Sequence, residues 1–188
     1  MSRLSSEEWL ALAEIARRAI SSAVLERSIP EFLVPQGALA ERRGAFVSLY
    51  HGGNLRGCVG QVENPGPLAE VVVRSAINAA LNDDRFPPIQ AAEIDHLEIE
   101  ISVLSPLERM SPETIIAGQH GLLVTRGPFR GLLLPQVAAE RNWTAERLLD
   151  ETCVKAGLKR EDWRDPETEV YGFTAEIFSE RAGKIEKQ

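Results

Sequence analysis

Cysteine is scarce in this chain of 188 residues: there are two, Cys58 and Cys153. Two thiols so far apart in sequence build no disulfide framework. With no CxxC and no His or Cys pair at metal-ligand spacing, neither a structural zinc site nor any other metal is expected. Basic charge is also short, with 21 Lys and Arg against 28 Asp and Glu and a net charge of -7. A nucleic-acid surface needs a basic footprint, and anionic lipid repels an acidic chain, so neither partner is expected. The apolar runs are too short to cross a bilayer. The opening, Met1 to Glu8, reads as the start of a helix rather than as a signal peptide. Together with the unpaired cysteines it points to a reducing cytoplasm. The glycine loops GxGxxG and Walker, the GxSxG elbow and the HExxH helix are missing as well, and no cofactor is expected.

What remains is enough for a packed core. Hydrophobic residues make up 44% of the chain, sufficient for one substantial domain, or one domain with a small appended lobe, without disulfides or metals. Ser5 and Glu8 have capping-box spacing, and Trp9, Leu12, Ala13, Ala16, Ile20, Ala23 and Val24 recur at helical period behind them. Ile29-Pro30 ends that helix, and residues 30–37 read as an extended connector. A strand over 45–50 and a returning strand over 55–62 flank a turn at His51-Gly52-Gly53-Asn54. Asn64 and Pro65 have the chemistry to start the next helix, whose stripe of Leu68, Val71, Val72, Ser75, Ala76, Ala79 and Ala80 is small enough to pack closely on a sheet.

Leu97, Ile99, Ile101 and Val103 alternate with polar residues and predict a strand with one wet face. Residues 122–125 and 131–134 predict a second hairpin about Gly127-Pro128-Phe129-Arg130. Pro135 opens a short helix, and Thr144 caps another that carries Leu148, Leu149 and Cys153 and stops at Gly157. Val170 to Glu180 reads as one late strand, and residues 181–188 as a polar, frayed tail. Hairpins without regular crossovers favour α+β over a doubly wound parallel fold.

The chemistry-bearing residues cluster in two segments. In a regular strand Arg56 and Cys58 share one face, and Leu55, Gly57 and Val59 the other. A guanidinium beside a thiol favours the anion. Gly57 and Gly60 leave backbone bare, so a strand or a ligand can approach. Equally, Cys58 can be a small structural thiol, with Arg56 paired to a carboxylate. The second segment is Asp83-Asp84-Arg85-Phe86-Pro87-Pro88. Its two prolines stiffen a stretch in which Arg85 offers a planar fork to carboxylate or phosphate, or else pairs with Asp83 at a helix end. Of the histidines, His51 by the hairpin turn reads as an exposed turn residue or, alternatively, a base, His120 precedes a strand and can line a cleft, and His96 reads as structural.

Leu55-Arg56-Gly57-Cys58-Val59-Gly60 resembles the hallmark of the AMMECR domain family, that of the Alport-syndrome chromosomal-region protein and its bacterial and archaeal relatives. Five further segments sit in the family's order. They are 83–88, the strand over 97–105, His120-Gly121-Leu122, Gly131-Leu132-Leu133-Leu134-Pro135-Gln136-Val137, and Cys153-Val154-Lys155-Ala156-Gly157-Leu158. Val59 stands where many members have isoleucine.

The resemblance implies an α+β fold spanning residues 1–188, a mainly antiparallel sheet flanked by helices with a smaller lobe packed beside it, and it places the hallmark near the junction of the lobes. It carries no defined reaction. It does imply kinship with protein A of the AmmeMemoRadiSam system, whose other parts are a Memo-like protein and a radical SAM protein, and hence an association with redox or radical chemistry. Two readings follow. In one, the chain is an enzyme or enzyme component whose inter-lobe cleft holds an unknown small polar or anionic ligand. Cys58 and Arg56 are then catalytic, and Arg85, Asp83, Gly57, Gly60 and His120 bind the ligand. In the other, it is an adaptor for the Memo-like or radical SAM partner.

Overall fold

A computed structural model describes residues 3–28, 36–62, 66–181 and 184–187. The chain divides into two compact units, one of residues 1–104 and 176–188, the other of residues 105–175. The architecture is α+β with two mainly antiparallel sheets and flanking helices. Among the described residues, no helix is long and apolar enough to cross a membrane.

The first unit opens with helix α1, Ser6–Ser21. Its capping box forms as the spacing predicts: the Glu8 amide donates to Ser5 Oγ at 3.2 Å, and the Ser5 amide donates to Glu8 Oε2 at 2.8 Å. Trp9, Leu12, Ala16 and Ile20 make its buried stripe. The helix then widens into a π-turn over Ser22–Glu26; the predicted stop at Ile29-Pro30 and most of the connector lie outside the described residues.

Strands β1 (Ala45–His51) and β2 (Asn54–Gln61) form the predicted hairpin. Gly52 and Gly53 both have positive φ, +57° and +77°, the conformation a two-residue turn between twisted strands requires. Helix α2, Leu68–Leu81, buries the predicted stripe but begins with Pro67 at its cap position; Asn64 and Pro65 fall outside the described residues.

Strand β3, Leu97–Leu104, pairs with β1 over Leu97 to Val103. With a neighbour on each side and Ser102 buried, it is more enclosed than the predicted wet face suggests. Two strands from the C-terminal end complete this five-stranded sheet, in the order β2-β1-β3-β8-β9. They are β8, Ala175–Arg181, and β9, Lys184–Lys187. The Phe178 ring of β8 stacks on Trp9 of α1 at 4.1 Å between centroids.

The second unit holds strands β4 (Glu108–Arg109), β5 (Gly121–Arg126), β6 (Phe129–Leu133) and β7 (Glu169–Phe173), ordered β4-β7-β5-β6. Helices α3 (Pro135–Glu140) and α4 (Ala145–Lys155) accompany them. The Arg147 amide donates to Thr144 Oγ1 at 3.2 Å, as the capping prediction requires. A core of Leu122, Val124, Leu148, Leu149, Cys153 and Val170 fills this unit.

Three local expectations are corrected. The hairpin turn is only Gly127-Pro128, because Phe129 and Arg130 already pair with Arg126 and Thr125. The late strand is two strands in different sheets, broken at Thr174, whose amide and carbonyl are both held by Ser105 at 2.9 Å. The polar tail does not simply fray, since β9 pairs antiparallel with β8.

Candidate functional site

Cys58 lies on β2, an edge strand of the five-stranded sheet. The hairpin is not regular. Tyr50 opposes Leu55, but Leu49 opposes Gly57, so Arg56 is an extra residue in a β-bulge. A bulge breaks strand alternation and re-aims side chains. Two consequences follow. Cys58 comes opposite Ser48, where a regular two-residue hairpin would put Gly57. Leu55, opposite Tyr50, therefore shares the face of Cys58, contrary to the alternation read from sequence.

The backbone of Cys58 faces away from β1. Its amide donates to Asp83 Oδ2 at 2.8 Å, and its carbonyl accepts from Arg85 Nη2 at 3.0 Å. Ser48 and Cys58 thus form a non-hydrogen-bonded cross-strand pair, the kind that brings side chains closest. The Ser48 hydroxyl accordingly donates to Cys58 Sγ at 3.2 Å. The thiol is half-buried.

The segment after α2 supplies what a neighbouring strand would otherwise give. Asp83 is the hub. Its Oδ1 accepts from the Arg85 amide at 3.2 Å and from Arg85 Nε at 2.9 Å, and its Oδ2 accepts from Arg85 Nη2 at 2.7 Å besides the Cys58 amide. Only 6% of the Asp83 side chain is exposed, against 60% for Arg85. The bonds from Arg85 hold the Asp83 carboxyl well below the usual carboxylate range, at about 2, with the Cys58 amide adding to them. The Asp83 carboxylate in turn raises Arg85, and the adjacent Cys58 side chain adds to that effect. The ion pair foreseen at the helix end is present, and its cation stands beside the thiol.

Arg56 is engaged elsewhere. Its Nε and Nη2 donate to the two carboxylate oxygens of Glu93 at 2.9 and 3.1 Å, and its Nη1 donates to the Pro87 carbonyl at 3.3 Å. That pairing keeps Glu93 below the usual carboxylate range. Glu93 also accepts from the Gln90 amide at 2.9 Å. The segment 83–93 is thus fastened to the β2 edge twice, at Cys58 through Asp83 and Arg85, and at Arg56 through Pro87 and Glu93. His51 Nδ1 lies 3.9 Å from Glu93 Oε1, and its ring faces His96 at 6.1 Å.

The two glycines of the motif do not leave open space where a side chain would go. A Cβ on Gly57 would stand 1.9 Å from the Ala79 carbonyl oxygen of α2, and one on Gly60 would stand 2.3 Å from the Phe46 ring. The room foreseen for a ligand at Gly57 and Gly60 is filled by the protein, because helix and ring pack directly on the bare backbone. His120 belongs to the second unit, where its Nδ1 accepts from the Ile116 amide at 3.1 Å and closes a turn.

The structure therefore brings Cys58, Asp83 and Arg85 together and gives Arg56 a separate partner. Ser48 and Glu93 were not singled out from sequence. Hairpin counting alone places Ser48 opposite Gly57, and no spacing rule links Glu93 to Arg56. Among the described residues, no group of three or more His, Cys, Asp or Glu is placed to hold a metal ion. In the second unit Cys153 is buried on α4, and burial pushes its thiol up to about 11.

Comparison with known proteins follows the same outline. The family model described as AMMECR1 matches residues 13–178. A protein of Methanothermobacter thermautotrophicus is 44% identical over 187 residues, covering 94% of this chain and 96% of its own. Protein TK0174 of Thermococcus kodakarensis is 42% identical over 194 aligned residues, covering 96% of this chain and 94% of its own. The crystal structure of the uncharacterized protein PH0010 from Pyrococcus horikoshii superposes with a TM-score of 0.90 at 40% identity, covering 98% of each chain.

Proposed function

This chain belongs to the AMMECR1 family, and on that premise we propose that its β2 edge is a small-anion site built around a reacting thiol. Cys58 is the reacting group. Arg85 holds the anionic part of the ligand, and Asp83 fixes Arg85. Arg56 positions the segment through Glu93 and does not meet the ligand. The observation that carries this reading is Arg85 itself. Two guanidinium bonds to the Asp83 carboxylate and one to the Cys58 carbonyl, with a further bond from the Arg85 amide to Asp83, fix this cation at a residue whose thiol is half-buried, yet its side chain remains 60% exposed. A cation held that way meets an incoming carboxylate or phosphate with little further loss of side-chain freedom. The chain then acts as an enzyme or as a component of one, in keeping with the redox association implied by the family resemblance. Docking of a Memo-like or radical SAM partner by strand addition has less to work with here, because the donor and acceptor of Cys58 on the open edge are already taken.

The test compares alkylation of Cys58 by iodoacetate and by iodoacetamide on a Cys153→Ala background, with and without Arg85→Gln. The reagents differ in charge, so the ratio of their rates isolates attraction by the guanidinium. The ratio falls about tenfold in Arg85→Gln, the factor given by a charge interaction of about 1.4 kcal/mol. An unchanged ratio, or a thiol inert to both reagents in the folded protein, overturns the proposal.

A further inference from the structure

The second unit contains a cleft of about 570 Å³ that the site on β2 does not use, lined among others by Arg109, Met110, Glu113, Trp163, Thr168 and Val170. That volume suits a small molecule. Its apolar surface comes from Met110, Val170 and the Trp163 indole. The indole is locked in place by a 2.8 Å bond from its Nε1 to Asp150 Oδ1. Thr168 is 7% exposed, and its Oγ1 has no hydrogen-bond partner. A buried hydroxyl without a partner is costly, and a polar ligand atom reaching it would complete it.

The charges on the lining decide what kind of molecule fits. Arg164 and Asp165 also line the cleft, but both are committed. Arg164 stacks on Trp163 at 3.9 Å and donates to Glu146 Oε1 at 2.6 Å. Asp165 accepts from Arg126 at 3.1 Å and from the Glu167 amide at 2.9 Å. Two lining charges are held more loosely. Arg109 is 67% exposed, and its Nη1 lies 3.5 Å from Glu169 Oε1, too long for a charge-assisted hydrogen bond. The Glu113 carboxylate accepts from the Ser111 hydroxyl, a neutral donor. The loosely held charges are thus one cation, in a long ion pair with Glu169, and one anion, over an apolar surface with one unmatched hydroxyl.

We infer that this cleft binds a free α-amino acid with an apolar side chain. Its carboxylate meets Arg109, its ammonium meets Glu113, and its side chain lies against Met110, Trp163 and Val170. A simple anion would satisfy Arg109 but face Glu113 unpaired, and a simple cation would have the converse fault.

The experiment is an NMR titration of the full chain, following the Trp163 indole N–H, with L-leucine, N-acetyl-L-leucine and L-leucinamide as probes. L-leucine produces a saturable shift. Removing either charge of the probe weakens binding about tenfold or more, as expected for a lost charge-assisted bond. Arg109→Gln abolishes the penalty for the amide, Glu113→Gln abolishes the penalty for the acetylated probe, and Arg85→Gln changes neither. Both altered residues are surface groups outside the core, so the variants fold. No saturable shift with L-leucine, equal binding of all three probes, or an amide penalty that survives Arg109→Gln overturns the inference.

Discussion

Replacing Asp83 by Asn tests the centre of the β2 site. The amide keeps the shape of the carboxylate but loses its charge and one of its two acceptor oxygens. Four hydrogen bonds end on that carboxylate, three from Arg85 and one from the Cys58 amide. The carboxyl sits at about 2, against an ordinary value of 3.8. That difference corresponds to about 2.4 kcal/mol of stability at neutral pH. Because the Arg85 end is exposed to solvent, screening reduces the expected cost of Asp83→Asn to about 1.5–2 kcal/mol.

The pH dependence is the sharper readout. A carboxyl depressed in the folded state stabilises above its unfolded value, and that stability is lost as pH falls through the folded value. The gap between wild type and Asp83→Asn, measured by urea unfolding, is therefore constant above about pH 5. It closes between about pH 4 and pH 2, leaving a few tenths of a kcal/mol. In a double-mutant cycle with Arg85→Gln the two costs are strongly non-additive, since each change removes the other's partner. A gap that stays constant down to about pH 2, or additive costs, would refute the assignment of Asp83 as the charged hub of the site.

Two further outcomes separate the roles of neighbouring residues. Gly57→Ala places a methyl carbon against the carbonyl of Ala79 rather than against a flexible side chain. It costs about 3 kcal/mol or more by thermal unfolding, whereas Gly66→Ala, which meets only the flexible ends of Arg74 and Glu70, is nearly silent. Arg56→Lys loses the two-pronged contact with Glu93 and lowers stability by about 1–2 kcal/mol, yet it leaves the iodoacetate-to-iodoacetamide ratio at Cys58 unchanged. A ratio that moved with Arg56 as much as with Arg85 would return Arg56 to the thiol.

Much of the fold was legible because local rules govern it. Ser5 with Glu8, and Thr144 before Ala145, announce helix starts through side chains that reach three residues along the chain. Gly52-Gly53 announces the hairpin, because two consecutive positive φ angles suit glycine. The stripe from Leu68 to Ala80 announces a close-packing helix. Where a choice depended on which sheet a strand joined, local pattern failed. Val170 to Glu180 reads in sequence as one late strand, yet it is cut at Thr174 by bonds to Ser105.

The same division runs through the site. The sequence by itself singled out the segments 55–60 and 83–88, and the ion pair of Asp83 with Arg85, which needs only two residues of chain. Only the tertiary structure decided which arginine stands by the thiol. Arg85 meets the Cys58 carbonyl across 27 residues, and Arg56 meets Glu93 across 37. Nothing in strand periodicity encodes either pairing. The bulge at Arg56 sets Cys58 against Ser48, and it is a property of the paired strands rather than of β2 alone. The two glycines carry the same lesson: their lack of a side chain is written in the sequence, but what fills the space, the Ala79 carbonyl and the Phe46 ring, is decided by how helix and sheet pack.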